Sequence, residues 1–317
     1  MNKKVSIIIP NYNRAHLISF TLESIKNQDY QNWECLIVDD HSTDNSFETI
    51  QKFIQADHRF KFFKRPQDRP KGANACRNFG FEISQGYYVQ WFDSDDIMIR
   101  NHLSILINAI ENYKVDFAVG DSYNFIQNKG LTARPYNFDK TNLKINAENY
   151  AKQVIGWITD DFLGKKEILS SARFNEGFTT DGDEYNFFTQ LLHQHRNGVF
   201  VNQTLSYRRI HENSLSHGEN SGLEYDRKIA SIKFMTFKDM QKYNDISLIK
   251  WFLSGYMYYG FQTALKKEFP PFFKEALWSI SKYLGWKKTA SFAMAIISAK
   301  KFRKGYRFLQ KARNSSL

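Results

Sequence analysis

What most constrains this chain of 317 residues is a regular exchange of strand-like and helix-like segments over roughly the first 120, with acidic residues at several strand ends. Val5 to Ile9 is rich in β-branched residues, as expected of a strand buried on both faces. Leu17, Ile18, Leu22 and Ile25 then follow helical spacing between Ala15 and Gln28. Trp33–Val38 reads as a second strand, and Ser42-Thr43-Asp44 as the cap of a helix reaching about Ala56. The pattern continues with a strand at Phe60–Lys64, a helix from about Gly72 to Ser84, a strand at Tyr87–Phe92, a helix at Asn101–Tyr113 and a strand at Asp116–Val119. Such alternation predicts an α/β fold, a mainly parallel sheet flanked by helices.

In sheets of this kind ligands bind outside the carboxyl ends of the strands. Here those ends read Pro10-Asn11-Tyr12-Asn13-Arg14, then Asp39-Asp40, then Asp93-Ser94-Asp95-Asp96. Carboxylates from two strand ends facing one crevice repel one another unless a cation sits among them. Hard oxygen ligands suit Mg2+ or Mn2+, above all when substrate phosphates complete the coordination shell. An aspartate at a turn also serves as an Asx-turn or a cap, which is the reading for Asp44.

These segments resemble the opening of family-2 glycosyltransferases. The likeness rests on Val5-Ser6-Ile7-Ile8-Ile9-Pro10-Asn11-Tyr12-Asn13, Leu22-Glu23-Ser24-Ile25 and Leu36-Ile37-Val38-Asp39-Asp40-His41-Ser42-Thr43-Asp44. It rests as well on Gly72, Arg77-Asn78-x-Gly80, Gly86 and Phe92-Asp93-Ser94-Asp95-Asp96, which fall in order over residues 4–120. The resemblance implies a GT-A fold, inversion at the anomeric carbon, and a metal-bound nucleotide-sugar donor, UDP-linked. It implies that Asp40 accepts from the nucleobase, and that Pro10, Asn11, Asn13 and Arg14 line the nucleoside pocket. Arg77 would reach toward base and phosphates. Asp93, with Ser94 beside it, would face the ribose or sugar, and Asp95 would ligate the metal.

Beyond residue 120 the elements shorten, with a helix at Asp183–His195 and strands near Val199 and Ser206. Gly182-Asp183-Glu184-Tyr185 resembles the family's acidic pair before an aromatic, which makes Glu184, with Asp183 and Asp181 close by, the expected general base for the acceptor hydroxyl. The bland reading of Glu184 is an acid favoured by the dipole of a helix's first turn. Tyr207-Arg208-Arg209-Ile210-His211, followed by Ser214 and Ser216, resembles a segment that brings a basic residue to the diphosphate and metal, so His211 joins Asp93 and Asp95 as an expected ligand. Trp157 stands where the family places acceptor contacts; its ring either stacks on a sugar or is buried.

After about Leu223 the pattern is helical throughout. The expected organisation is a catalytic domain over residues 1–220, with the nucleotide-sugar on 1–120 and the acceptor side on 121–220, then a helical, basic region over 221–317. Net charge is +11, and Trp286 to Leu317 carries Lys287, Lys288, Lys300, Lys301, Arg303, Lys304, Arg307, Lys311 and Arg313 without one acidic residue. A tail of this kind attracts a phosphate-bearing surface, either anionic lipid or nucleic acid, or else is a solvated helix face. The apolar stretch within it, with Phe292, Met294, Ile296 and Ile297, is too short to span a bilayer.

Cys35 and Cys76 have neither metal-ligand spacing nor a pairing framework, and the short apolar run before Pro10 is no signal-peptide core. The expectation is therefore a cytoplasmic enzyme, peripheral on the inner face of the membrane. Its function is read as metal-dependent hexosyl transfer to a glycan or lipid-linked glycan in surface polysaccharide synthesis. The alternatives are a transferase loading sugar onto polyprenyl phosphate and, in another class, a nucleic-acid-binding protein suggested by the basic charge. The acidic centre of the crevice would repel a phosphate backbone and argues against nucleic acid.

Overall fold

The computed structural model describes residues 3–127, 129–140, 143–178, 182–211 and 221–314. The chain divides into two compact units, Met1–Ser214 and Leu215–Leu317. Asp181, Ser214 and Ser216 lie outside the described residues.

In the first unit the order is β1 (Val5–Asn11), α1 (Ile18–Lys26), β2 (Trp33–Asp39), α2 (Ser46–Ala56), β3 (Phe60–Lys64), α3 (Ala73–Ile83) and β4 (Tyr88–Trp91). There follow β5 (Ile97–Met98), α4 (His102–Tyr113), β6 (Phe117–Ile126), β7 (Gly130–Leu131), α5 (Ala147–Ala151), β8 (Phe162–Lys165), α6 (Lys166–Leu169), α7 (Asp183–Gln194) and β9 (Gly198–Arg209). The strands form one sheet in the order β3-β2-β1-β4-β8-β6-β9-β5, with β7 paired to β6. β3, β2, β1 and β4 are parallel, because a helix carries the chain back after each of β1, β2 and β3. Beyond β4 the sheet is mixed, since β8 runs antiparallel to both β4 and β6. The two strands expected near Val199 and Ser206 are one long strand, β9, whose pairing with β6 slips on both sides of Asp121.

β1 and β2 are buried along their whole length, as their β-branched composition requires. Ile7, Ile9, Leu22, Ile25, Cys35, Ile37, Leu103 and Leu106 meet in the core between these strands and α1 and α4. On the other side α3 lies so close to β1 that a Cβ at Gly80 would come within 2.4 Å of the Ile8 side chain. That close approach explains the glycine in Arg77-Asn78-x-Gly80 and fixes the height of Arg77 above the strand ends. Asp44 makes an Asx-turn just ahead of α2: its carboxylate accepts from the backbone N–H groups of Ser46 at 3.0 Å and Ala15 at 2.9 Å.

The second unit is helical: α8 (Leu223–Met240), α9 (Ile246–Leu265), α10 (Phe273–Leu284), α11 (Trp286–Phe302) and α12 (Tyr306–Arg313). Its core joins Phe234 and Phe237 of α8, Phe252 and Tyr256 of α9, Ile280 of α10 and Phe292 and Ile296 of α11. The buried Tyr256 hydroxyl donates to the Pro271 carbonyl at 2.8 Å, so its polar end is satisfied. No described helix is long and apolar enough to cross a membrane.

Candidate active site

The site is assembled where β1, β2 and β4 end. Asn11 and Asp39 are side by side in register. The Asn11 amide donates to Asp39 Oδ2 at 2.8 Å, and Asp39 also accepts from the Ser42 backbone N–H at 2.8 Å and hydroxyl at 2.6 Å. Pro10 and Asn11 are buried at the end of β1. Asn13 has φ 50°, a left-handed conformation that asparagine tolerates, and its Oδ1 accepts from the Thr43 N–H at 2.8 Å, stapling the two loops together.

Asp40 stands at the strand end where it was expected, yet its carboxylate is already engaged. Arg65 donates through Nε to Oδ1, and the N–H of Gly72 donates to Oδ2 at 2.9 Å. Gly72 has φ 139°, which opens the turn ahead of α3 and lets its N–H face Asp40. Arg65 is a partner that the motif did not announce. Nearby, the Tyr12 ring is 39% exposed and carries the Lys71 ammonium 3.9 Å from its centroid, leaving an accessible aromatic edge at the crevice.

The four residues after β4 point apart. Asp93 Oδ1 accepts from Arg77 Nη2 at 2.8 Å, whereas Asp95 Oδ2 accepts from Arg14 Nε at 3.3 Å and lies 2.9 Å from His211 Nε2. Burial raises the Asp95 pKa, but the His211 hydrogen bond and the Arg14 charge outweigh it and hold the carboxyl below its usual range. Arg14 thus meets the acidic turn, and Asp95 meets Arg14 and His211 while Asp93 meets Arg77. The group of acids whose ligand atoms lie within 4.8 Å of one another, among the described residues, is Asp93, Asp96 and Asp160. Asp96 and Asp160 are fully buried, and burial followed by neighbouring acids pushes both carboxyls well above their usual range. Asp160 Oδ1 accepts from the Asp93 N–H at 3.0 Å while Oδ2 has no donor. Ser94, between them, is buried.

Arg77 does not extend into open crevice either. Its buried guanidinium binds Asp93 with one nitrogen and Asp183 with the other, the latter at 2.6 Å. Burial works against its charge, and the two carboxylates more than offset this, raising its pKa. Arg77 thereby ties α3, the β4 end and the start of α7 into one ionic unit. Next to Asp183, Glu184 Oε1 accepts from Thr159 twice, from the N–H at 2.7 Å and the hydroxyl at 2.6 Å. Burial and the Asp183 charge push the Glu184 carboxyl up to about 7, against these two hydrogen bonds.

Of the two readings of Trp157, the structure shows the buried one. It is 1% exposed, with Tyr150, Phe188 and Phe200 rings at 4.7, 5.3 and 5.9 Å. Its neighbours Thr159 and Asp160 are the residues of that segment that reach the site. The signal for them was the acid pair Asp160-Asp161 beside a hydroxyl, and nothing in one dimension shows which carboxylates its backbone meets. Beyond Asp95, a cleft of about 380 Å³ is lined by His16, Leu17, Phe20, Gln127, Arg209, Ile210 and His211.

The raised acids make stability depend on pH. Glu184 and Asp161 both titrate near 7 when folded, far above their unfolded values, so the folded chain holds more protons in between. Their stabilising contribution is present below the unfolded pKa and lost as pH rises through about 7. Glu34, lowered to about 2, acts oppositely and only in acid. The melting temperature should therefore fall between about pH 4.5 and about pH 7, and Asp161→Asn should flatten the fall. A flat profile for the unaltered chain, measured by scanning fluorimetry, would contradict the buried-acid assignment.

This geometry can be set beside known proteins. The family model described as glycosyl transferase family 2 matches residues 6–173. The chain belongs to that family. Among relatives of this family-2 glycosyltransferase, the glycosyltransferase GlyG of Streptococcus pneumoniae is 29% identical over 232 residues, 69% of this chain and 75% of GlyG. The Escherichia coli enzyme WfgD is named a UDP-Glc:alpha-D-GlcNAc-diphosphoundecaprenol beta-1,3-glucosyltransferase. It is 35% identical over 130 residues, covering 41% of this chain and 49% of WfgD. In fold the chain is similar to Staphylococcus aureus TarS residues 1–349 in complex with UDP-GlcNAc, with TM-score 0.66 and 15% identity over 98% of this chain and 89% of that one. The GT-A expectation is met: a curled mixed sheet flanked by helices, then a helical region.

Proposed function

We propose that this family-2 glycosyltransferase moves a hexosyl group from a UDP-sugar to a hydroxyl of a lipid-diphosphate-linked glycan, with inversion, in surface polysaccharide synthesis. The observation that carries the reading is Glu184, a half-buried carboxylate pushed up to about 7 and joined through Asp183 and Arg77 to Asp93. A carboxyl poised near neutrality can take the proton of an attacking hydroxyl. This also favours a hydroxyl acceptor over polyprenyl phosphate, which is anionic at neutral pH and needs no base. The relatives support the donor and carrier, since WfgD is named for UDP-Glc and a diphosphoundecaprenol-linked sugar. Membrane-borne acceptors would bring the enzyme to the membrane surface.

Asp40 and the Tyr12 ring are assigned to the nucleobase, and the backbone at Pro10 and Asn11 to the nucleoside. The carboxylates of Asp93 and Asp95 supply hard oxygen donors that would suit Mn2+ or Mg2+, with the His211 imidazole, hydrogen-bonded to Asp95 at 2.9 Å, as a borderline nitrogen donor. A bound cation supplies charge neutralisation to the diphosphate leaving group. The residues of the chain do the rest: Arg77 holds Asp93 and Asp183 in place, Thr159 orients Glu184, and Glu184 removes the proton. Nucleotide release across a panel of nucleotide-sugars, with and without a lipid-diphosphate-linked glycan, tests the reaction. Release that ignores the glycan would remove the acceptor reading.

Donor binding should depend on metal and on Asp95. Calorimetry of UDP with Mn2+, with EDTA and in Asp95→Ala should show affinity at least about tenfold weaker in the last two, about 1.4 kcal/mol. Equal affinity in all three would remove the metal bridge.

A further inference from the structure

In the second unit, α11 has a buried apolar side and, ahead of its basic last turn, an exposed apolar side. Phe292, Ala295, Ile296 and Ala299 are buried along one side. Trp286, Ala290, Met294, Ile297 and Lys301 fall within an arc of about 80° on the opposite side, at 3.6 residues per turn. That side is open, with Trp286 70%, Met294 44% and Ile297 48% exposed. The helical phase thus splits the apolar stretch read from sequence. Phe292 and Ile296 belong to the core, while Met294 and Ile297 join Trp286 in an uncovered stripe.

The stripe is edged by charge of one sign. Lys287 and Lys301 are exposed on the same helix, and Arg303 and Lys304 are exposed just past its end. Phe302 and Tyr306, 68% and 55% exposed, are further exposed aromatics beside these cations in the chain. The backbone there is held: Arg303 caps α11 with φ 53°, Gly305 turns with φ 115°, and α12 is anchored by the buried Leu309 and Ala312. The presentation is therefore preformed, and ordering it on contact costs little.

We infer that this face of α11 docks onto an anionic lipid bilayer, Trp286, Met294 and Ile297 entering the headgroup boundary while the flanking lysines and arginines meet lipid phosphates. An indole at the interface places an apolar ring beside a polar N–H, which suits the boundary between chains and headgroups. Basic side chains add electrostatic attraction that fades within a Debye length. A protein partner is a poorer match, because the stripe is narrow and nine basic residues with no acid follow from Trp286 to Leu317. The inference uses neither the donor nor the acceptor assignment, so it stands or falls apart from the proposed reaction.

The test is co-sedimentation of the full chain with vesicles of phosphatidylglycerol and phosphatidylcholine, against phosphatidylcholine alone, at low and high salt. Binding should favour the anionic vesicles and weaken with salt. The triple variant Trp286→Ser, Met294→Ser, Ile297→Ser should lower the partition coefficient about tenfold or more, with an unchanged melting temperature because these side chains are exposed. Lys287→Gln with Lys301→Gln should reduce the anionic preference instead. Absence of vesicle binding, or binding untouched by the triple variant, overturns the inference. So does self-association, seen by sedimentation velocity, that the triple variant abolishes while vesicles are ignored.

Discussion

Glu184→Gln should lower turnover by on the order of 10²-fold or more while UDP affinity stays within a few-fold. The amide oxygen of glutamine can still accept from the Thr159 N–H and hydroxyl, which lie 2.7 and 2.6 Å from Glu184 Oε1. The loop holding Thr159 therefore keeps its place, and what is lost is basicity. The same residue sets an acid limb in the pH profile. With the carboxyl at about 7, kcat/KM should rise about tenfold per pH unit below that value and level off above it, because only the ionised form accepts a proton. In Glu184→Gln the limb should vanish along with the rate. Asp183→Asn should act differently, since Asp183 holds Arg77 at 2.6 Å: stability and donor affinity drop, and the limb near 7 persists or shifts down as the neighbouring charge is removed. Turnover in Glu184→Gln within a few-fold of the unaltered enzyme, or a limb that survives it, would place the base elsewhere.

The second large effect is expected at Arg77. Replacing it by Met keeps much of the apolar stem but leaves Asp183 and Asp93 without their counter-charge. Breaking a buried ion pair from one side costs about 3–5 kcal/mol. Asp93 is 39% exposed and recovers some hydration, so a loss near about 3 kcal/mol is expected, or roughly 6–12 °C in the melting temperature of the first unit. Calorimetry on the variant and the unaltered chain measures it directly. Arg77→Lys should recover only part of the loss, because one ammonium cannot bridge two carboxylates as a planar fork does. An Arg77→Met chain that melts with the unaltered one would mean that the bridge is not formed in solution.

Much of the fold was legible in one dimension. The β-branched runs of β1 and β2 and the helical spacing of Leu22 and Ile25 are local patterns, and local patterns suffice where a strand buried on both faces alternates with a helix. β6 and β9 were harder to read, because their pairing slips at Asp121 and their exposure changes along the strand. Trp157 shows the same limit at the level of one residue. Its position was read correctly in the chain, yet an aromatic that stacks on sugar and one that packs on Phe188 have the same letter.

The acidic residues at the strand ends and the Asp183-Glu184 pair were determined by sequence alone, because strand termini and helix starts are local features and the chemistry of a carboxylate travels with its letter. Which carboxylate meets which cation was decided only by tertiary structure. Successive residues of the Asp93-Ser94-Asp95-Asp96 turn point in different directions, so Asp93 finds Arg77, Asp95 finds Arg14 and His211, and Asp96 is turned inward toward Asp160. The altered titration of Glu184 is likewise a property of the folded chain, for it arises from loss of water and from the charge of Asp183. In α11 the letters supplied an apolar stretch, and the packing of Phe292 and Ile296 decided that Trp286, Met294 and Ile297 would be left facing out. Composition is read along one axis, whereas desolvation and pairing depend on distances across the fold.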